Sequence, residues 1–273
     1  MWWVEWLKGL ALTAMIFVPL ERLLALNSAQ IVFRRGWLND TVYLFINGQL
    51  IGFVLSAIAA GTIMMAGWFV PAGFRAAVSA QPFWIQVLEI IVLSDLGFYL
   101  AHRAFHTIPW LWKFHAVHHS IEELDWLAGA RVHPIDQIMT KAAGFLPVFS
   151  LGFSDAAIGA SLLIYGWQSF FVHSNIRVTF GPLRWVLATP EFHHWHHAKD
   201  VEARDKNFAG QLPFLDVLFG TVHMPRNKRP KAYGIDEPMP ATYPLQLLHP
   251  FRSMPGLSTR QARPELPRSA GES

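Results

Sequence analysis

Residues 83–106 read FWIQVLEIIVLSDLGFYLAHRAFH. Up to Ala101 the stretch is mostly apolar, and about 20 such residues in a helix span the hydrocarbon of a bilayer. It then closes on His102 and His106, an H-x-x-x-H pair. Side chains at i and i+4 share a helix face. At about 100° per residue, positions 95, 102 and 106 fall within roughly 20° of one line. One face of this predicted span therefore carries a polar stripe from Asp95 to two imidazoles. Glu89 and Asp95 are carboxylates inside an apolar helix, where charge is expensive and usually functional. Two roles are open to Asp95: accepting an N–H from a metal-ligating histidine, or pairing with Arg103 or Arg131.

The composition agrees with a membrane protein. Of 273 residues, 52% are hydrophobic, 15% are charged and 12 are Trp. About 25% charged residues is usual in soluble domains. Mean hydropathy is +0.27. Without cysteine the chain has no disulfides, thiolate metal sites or Cys nucleophiles. A net charge of +3 with no basic, aromatic-interleaved stripe excludes nucleic acid as the expected partner.

Four further stretches are candidate membrane segments. Residues 6–26 are largely apolar around Pro19 and read as a membrane anchor. A signal peptide is the rival reading, but a basic n-region is missing and Glu21-Arg22 occupies the cleavage region. Residues 41–70 run without a charge and form the clearest span. Residues 142–153 and 156–172 are shorter apolar runs split by GFSD, which suits a re-entrant pair or a tight helical hairpin. The expected fold is all-α: an integral membrane bundle of about four spans with a His-rich helical cap holding a dinuclear metal site. Residues 1–82 would be N-terminal spans, 83–250 the catalytic domain and 251–273 a disordered tail. Arg34 and Arg35 lie between the first two spans, and most other Lys and Arg follow residue 102. The bias of Lys and Arg toward the cytoplasmic side puts the 27–40 loop and the His-rich region in the cytoplasm, with the amino terminus and residues 71–82 outside.

No histidine precedes residue 102, and ten of the 13 form a pattern. His102 and His106 form the pair. His115, His118 and His119 form an H-x-x-H-H triplet, and His193, His196 and His197 form a second. His133 and His173 stand between the triplets. Three histidines at i, i+3 and i+4 crowd one helix face, too closely for all to bind one ion. Two triplets and a pair suit two ions held by several helices. Neutral imidazole suits Zn, Cu, Fe and Ni alike. His223 and His249 read as packed core residues, and His194 is surplus to a triplet counted from His193. The zinc-protease motif H-E-x-x-H and the nucleophile motif G-x-S-x-G are absent. The plain alternative to a metal centre is a solvated, pH-sensitive histidine patch.

Taken in order, HRAFH (102–106), LWKFHAVHHS (111–120), LDWLAGARVHP (124–134), FVHSNI (171–176), TPEFHHWHHAKD (189–200) and DKNFAGQLPFLDVLFGT (205–221) resemble the fatty acid hydroxylase / sterol desaturase superfamily of membrane oxidoreductases. The resemblance covers roughly residues 85–235. It implies a non-haem di-iron centre, O2 as co-substrate, and hydroxylation or desaturation of a lipid. It carries His102, His106, His115, His118, His119, His193, His196 and His197 over as metal ligands. Yeast-type sphingolipid hydroxylases have a further H-x-x-x-H between the triplets. Here that stretch reads QSFFVH, so His133 and His173 are assigned as substitutes. Asp95, Asp136, Glu191 and Asp200 are candidate acceptors for ligand N–H groups.

The implied partners are a lipid from the bilayer and a separate cytochrome- or ferredoxin-type electron donor. Zinc is an expected substitute for iron in preparations. A sterol-type desaturase, a zinc-dependent membrane hydrolase and a non-catalytic metal-binding protein are the competing readings.

Overall fold

The computed structural model describes residues 2–252; most of the expected tail lies outside the described residues. Helix α1 is Trp2–Leu23, α2 Trp37–Phe69, α3 Ala72–Ser79, α4 Phe83–Thr107, α5 Pro109–His119, α6 Pro134–Leu151, α7 Asp155–His173, α8 Pro190–His196 and α9 Phe214–Leu218. Among the described residues there is no strand, only the isolated bridges Ala25–Ile176 and Ala198–Tyr233.

Of the expected spans, α2 and α4 are long and apolar enough to cross a bilayer. Helix α2 begins four residues before the predicted run, and α4 continues six residues past it to Thr107, so the histidine pair is helical. The predicted hairpin is α6 and α7, joined by Gly152, Phe153 and Ser154. Gly152 has a φ of +90°, which a side chain would strain, and lies against Arg75. Helix α2 leaves much apolar surface uncovered: Trp68 is 87% exposed and Phe53 76%. A patch of that size marks contact with a lipid or protein surface.

The bundle has two distinct ends. At one end, Ser154 N–H donates to Gln86 Oε1. At the other, Glu21 Oε1 accepts from Trp126 N and Asn175 N, and Asn47 donates to Val132 O. All the histidine-bearing segments gather at this second end.

Two features place the cap. The first is proline at helix starts. Pro109, Pro134 and Pro190 each occupy the first turn of α5, α6 and α8, and the preceding residues Ile108, His133 and Thr189 are extended. Proline disfavours helical geometry in the residue before it while its own φ suits a first helical position. At Ile108 this ends α4 and turns α5 back beside it. The second is a close crossing of α4 and α6. A Cβ on Gly97 would lie 2.2 Å from Ala143 O, and one on Gly144 2.7 Å from Ser94 O. Backbones can approach that closely only over small residues.

Arg34 is more than a loop charge. It is 1% exposed and donates to both oxygens of Asp125 at 2.7 Å and to Asp40 at 2.7 Å. Asp40, in the first turn of α2, also accepts from Arg131. This buried network ties the 27–40 segment to the 124–133 segment. Removing one partner from a buried ion network leaves an uncompensated charge, typically at a cost of about 3–5 kcal/mol. Asp40→Ala is therefore expected to lower stability by about that amount. Denaturant unfolding in detergent measures it, and an unchanged midpoint would contradict the role given to the network.

Candidate metal centre

The structure brings nine histidines into two adjoining groups. His102, His106, His115, His119 and His196 form one; His118, His173, His193 and His197 form the other. Within each group one ring nitrogen per residue lies within 4.8 Å of all the others. The rings of His119 and His197, one from each group, are 4.6 Å apart and nearly parallel.

The triplets divide between the groups. In α5 the i, i+4 pair His115 and His119 enters the five-histidine group and His118 the four-histidine group. In α8 His196 enters the five-histidine group, while His193 and the cap residue His197 enter the other. Each H-x-x-H-H thus straddles two positions. Gly129 lets the 128–130 turn lie against His173, where a Cβ would be 2.8 Å from Nδ1.

Hydrogen bonds fix the rings. His102 Nδ1 donates to Phe208 O at 2.7 Å and His196 Nδ1 to Lys206 O at 2.9 Å. His115 Nδ1 donates to Asp136 at 2.7 Å. In the other group His118 Nδ1 donates to Arg131 O at 3.0 Å and His173 Nδ1 to Ser169 O at 2.7 Å. Carbonyls and carboxylates only accept, and a neutral imidazole carries one N–H, so the Nε2 atoms of these five residues are bare lone pairs. They face one another: His102 and His115 at 3.0 Å, His118 and His173 at 3.3 Å. The buried Nε2 of His106 has no hydrogen-bond partner. Burial holds the imidazoles of His115, His118, His119, His193, His196 and His197 well below their ordinary pKa, and neighbouring histidines add to the effect. They are neutral at pH 7. Converging neutral lone pairs in a dry interior repel one another unless a cation sits among them, so the donor set fits a bound metal ion in each group.

Some expected residues lie elsewhere. His133 is not brought to either group. It caps α6, its Nδ1 accepting from Ile135 N, and its Nε2 lies 3.2 Å from Leu247 O. His194 sits between the Tyr233 hydroxyl and Ser174 O. Of the four carboxylates, only Asp136 contacts one of the nine histidines. Asp95 neither accepts from a histidine nor pairs with Arg103 or Arg131; it accepts backbone N–H groups from Gly210, Gln211 and Leu212. Glu191 pairs with Arg184, and Asp200 accepts from Lys231 N. The carbonyls of Arg131, Ser169, Lys206 and Phe208, which orient four of the rings, leave no side-chain signal in a sequence.

Fold and site together define a helical protein with a paired, multi-histidine centre suited to metal. Residues 87–221 match the fatty acid hydroxylase family model. An ornithine lipid hydroxylase of Rhizobium tropici is 34% identical over 62% of this chain and 51% of its own length. An alkylglycerol monooxygenase of Xenopus tropicalis is 28% identical over 67% of this chain and 41% of its own. A very-long-chain aldehyde decarbonylase of rice, Oryza sativa, is 28% identical over 53% of this chain and 54% of its own. The chain thus spans about half or less of the length of these curated relatives. No solved structure matches it. The 87–221 segment thus forms a fatty acid hydroxylase domain, and the relatives above are members of the same superfamily.

The two solitary histidines separate cleanly by experiment. His173→Ala is expected to remove the metal of the four-histidine group. His133→Ala should leave metal content unchanged and weaken the α6 cap by about 1 kcal/mol. Elemental analysis of the purified variants decides it; the reverse pattern would contradict the division made here.

Proposed function

We propose that this chain is an O2-dependent, di-iron membrane oxidoreductase that hydroxylates a lipid, fatty acyl or sterol-like substrate. The observation that carries the reading is the set of facing Nε2 lone pairs, bare in both groups at the five rings whose Nδ1–H is given to an outer acceptor. His102, His106, His115, His119 and His196 would hold one iron and His118, His173, His193 and His197 the other; zinc can replace iron in preparations. A pair of irons there would supply what no side chain can, activation of O2 for attack on an unreactive C–H bond. Asp136 holds the His115 ring in place and raises its basicity. The buried surroundings keep bulk water from the centre.

Residues 83–250 form the catalytic unit in this reading. The apolar outer faces of α2 and α4 lie in the bilayer, so a lipid reaches the centre from the membrane. The histidine end faces the cytoplasm, where a separate cytochrome- or ferredoxin-type donor delivers electrons. The relatives named as a lipid hydroxylase and a monooxygenase support the reaction class.

Two experiments test the proposal. Cells making the intact chain, but not His196→Ala, are expected to accumulate a lipid bearing one oxygen atom from isotopically labelled O2. A product lacking two hydrogens instead would favour the desaturase, and product formation without O2 would contradict both. The chain has no cysteine, so a single one at exposed position 76 reports sidedness. It should react with an impermeant maleimide from outside; reaction from the cytoplasm alone would refute the orientation.

A further inference from the structure

Asp95 and Asp216 are buried carboxylates that touch no histidine, yet both act on one short segment. Asp95 Oδ1 accepts from Gly210 N at 2.8 Å and Gln211 N at 3.0 Å, and its Oδ2 from Leu212 N at 2.7 Å. Asp216, in α9, accepts from Phe208 N and Ala209 N at 2.8 Å each. Five consecutive backbone N–H groups, 208–212, are thus fixed by two side chains. Asp216 is itself oriented by the Thr221 hydroxyl at 2.6 Å, which lies 2.9 Å from the Tyr99 hydroxyl.

The carbonyls at the start of this segment point the other way, to the five-histidine group. Phe208 O takes the Nδ1–H of His102, and Lys206 O that of His196. Neither carbonyl contacts a ring of the four-histidine group, whose Nδ1 acceptors Arg131 O and Ser169 O lie in other segments. Asp95, Tyr99 and His102 lie on one face of α4, at i, i+4 and i+7. One helix face therefore bears a ligand and also grips the segment that turns that ligand.

We propose that residues 206–212 are a positioning strap for the five-histidine group alone, with Asp95 and Asp216 as its positioning residues. This rests on the two-metal reading above. The carboxylates hold the strap, the strap's carbonyls hold the Nδ1–H groups of His102 and His196, and the Nε2 lone pairs are thereby aimed at the ion. Replacing either carboxylate by an amide puts an N–H donor against a backbone N–H. The strap then shifts, and two of five rings lose their set orientation. Losing outer partners of this kind typically weakens metal binding by about 10- to 100-fold.

The test is Co(II) titration of the full metal-free chain in detergent, followed by visible absorption. His196→Ala and His173→Ala provide reference spectra for each group alone. Asp95→Asn and Asp216→Asn are expected to bind Co(II) at the five-histidine group about 10-fold or more weakly, with its absorption bands shifted. Affinity at the four-histidine group should stay within about 2-fold, a split that general loss of structure would not produce. If either variant fails to fold, Thr221→Val removes only the hydroxyl that orients Asp216, and should lower the same affinity by about 3-fold or more. Equal weakening of both groups, or no change in either, would overturn the strap while leaving the two-metal reading intact. A wild-type chain that takes up Co(II) at neither group, or at only one, would overturn both.

Discussion

The arrangement depends on one constraint: neutral imidazole has a single N–H. Once Phe208 O, Lys206 O, Asp136, Arg131 O and Ser169 O have taken the Nδ1–H groups of five rings, the five Nε2 atoms are lone pairs wherever they point. They point inward, toward one another. The outer acceptors are therefore as much part of the centre as the rings. They are drawn from α6, α7, the 124–133 segment and the 205–212 segment, so the whole cap must be folded before the lone pairs converge.

The scaffold meets that requirement with few devices. Proline at three helix starts turns the chain where α5, α6 and α8 must begin. Gly97 and Gly144 bring α4 against α6, which places Asp136 beside His115. The buried Arg34–Asp125–Asp40–Arg131 network holds the segment whose Arg131 carbonyl orients His118. A buried ion network is weak evidence for net stability. Its effect here is geometric, since it fixes one conformation of the 124–133 turn.

Much of this was legible in the sequence, for physical reasons. Period-3.6 arithmetic put His102 and His106 on one face with Asp95. Crowding within H-x-x-H-H argued against one ion per triplet, and the 2+1 and 1+2 division between groups agrees. The hairpin could be read from GFSD between two short apolar runs. His133 reads as a ligand by residue type, but its position says helix cap. It directly precedes Pro134, which marks it as a helix N-cap, and its ring accepts from Ile135 N as a cap does. For Asp95 the sequence offers a ligating histidine, Arg103 or Arg131 as partner. Its partners lie 115 or more residues away and are backbone N–H groups, which carry no residue-specific signal. Arg34 looked like a loop charge because pairing with Asp125 and Asp40 is visible only once the fold brings them together.

The paired geometry calls for one ion in each histidine group. Anomalous diffraction at the metal absorption edge, on the intact protein prepared anaerobically with Fe(II), tests it directly. Two peaks per chain are expected. One should be ringed by His102, His106, His115, His119 and His196, the other by His118, His173, His193 and His197. A single peak, no peak, or a peak at His133 would contradict it.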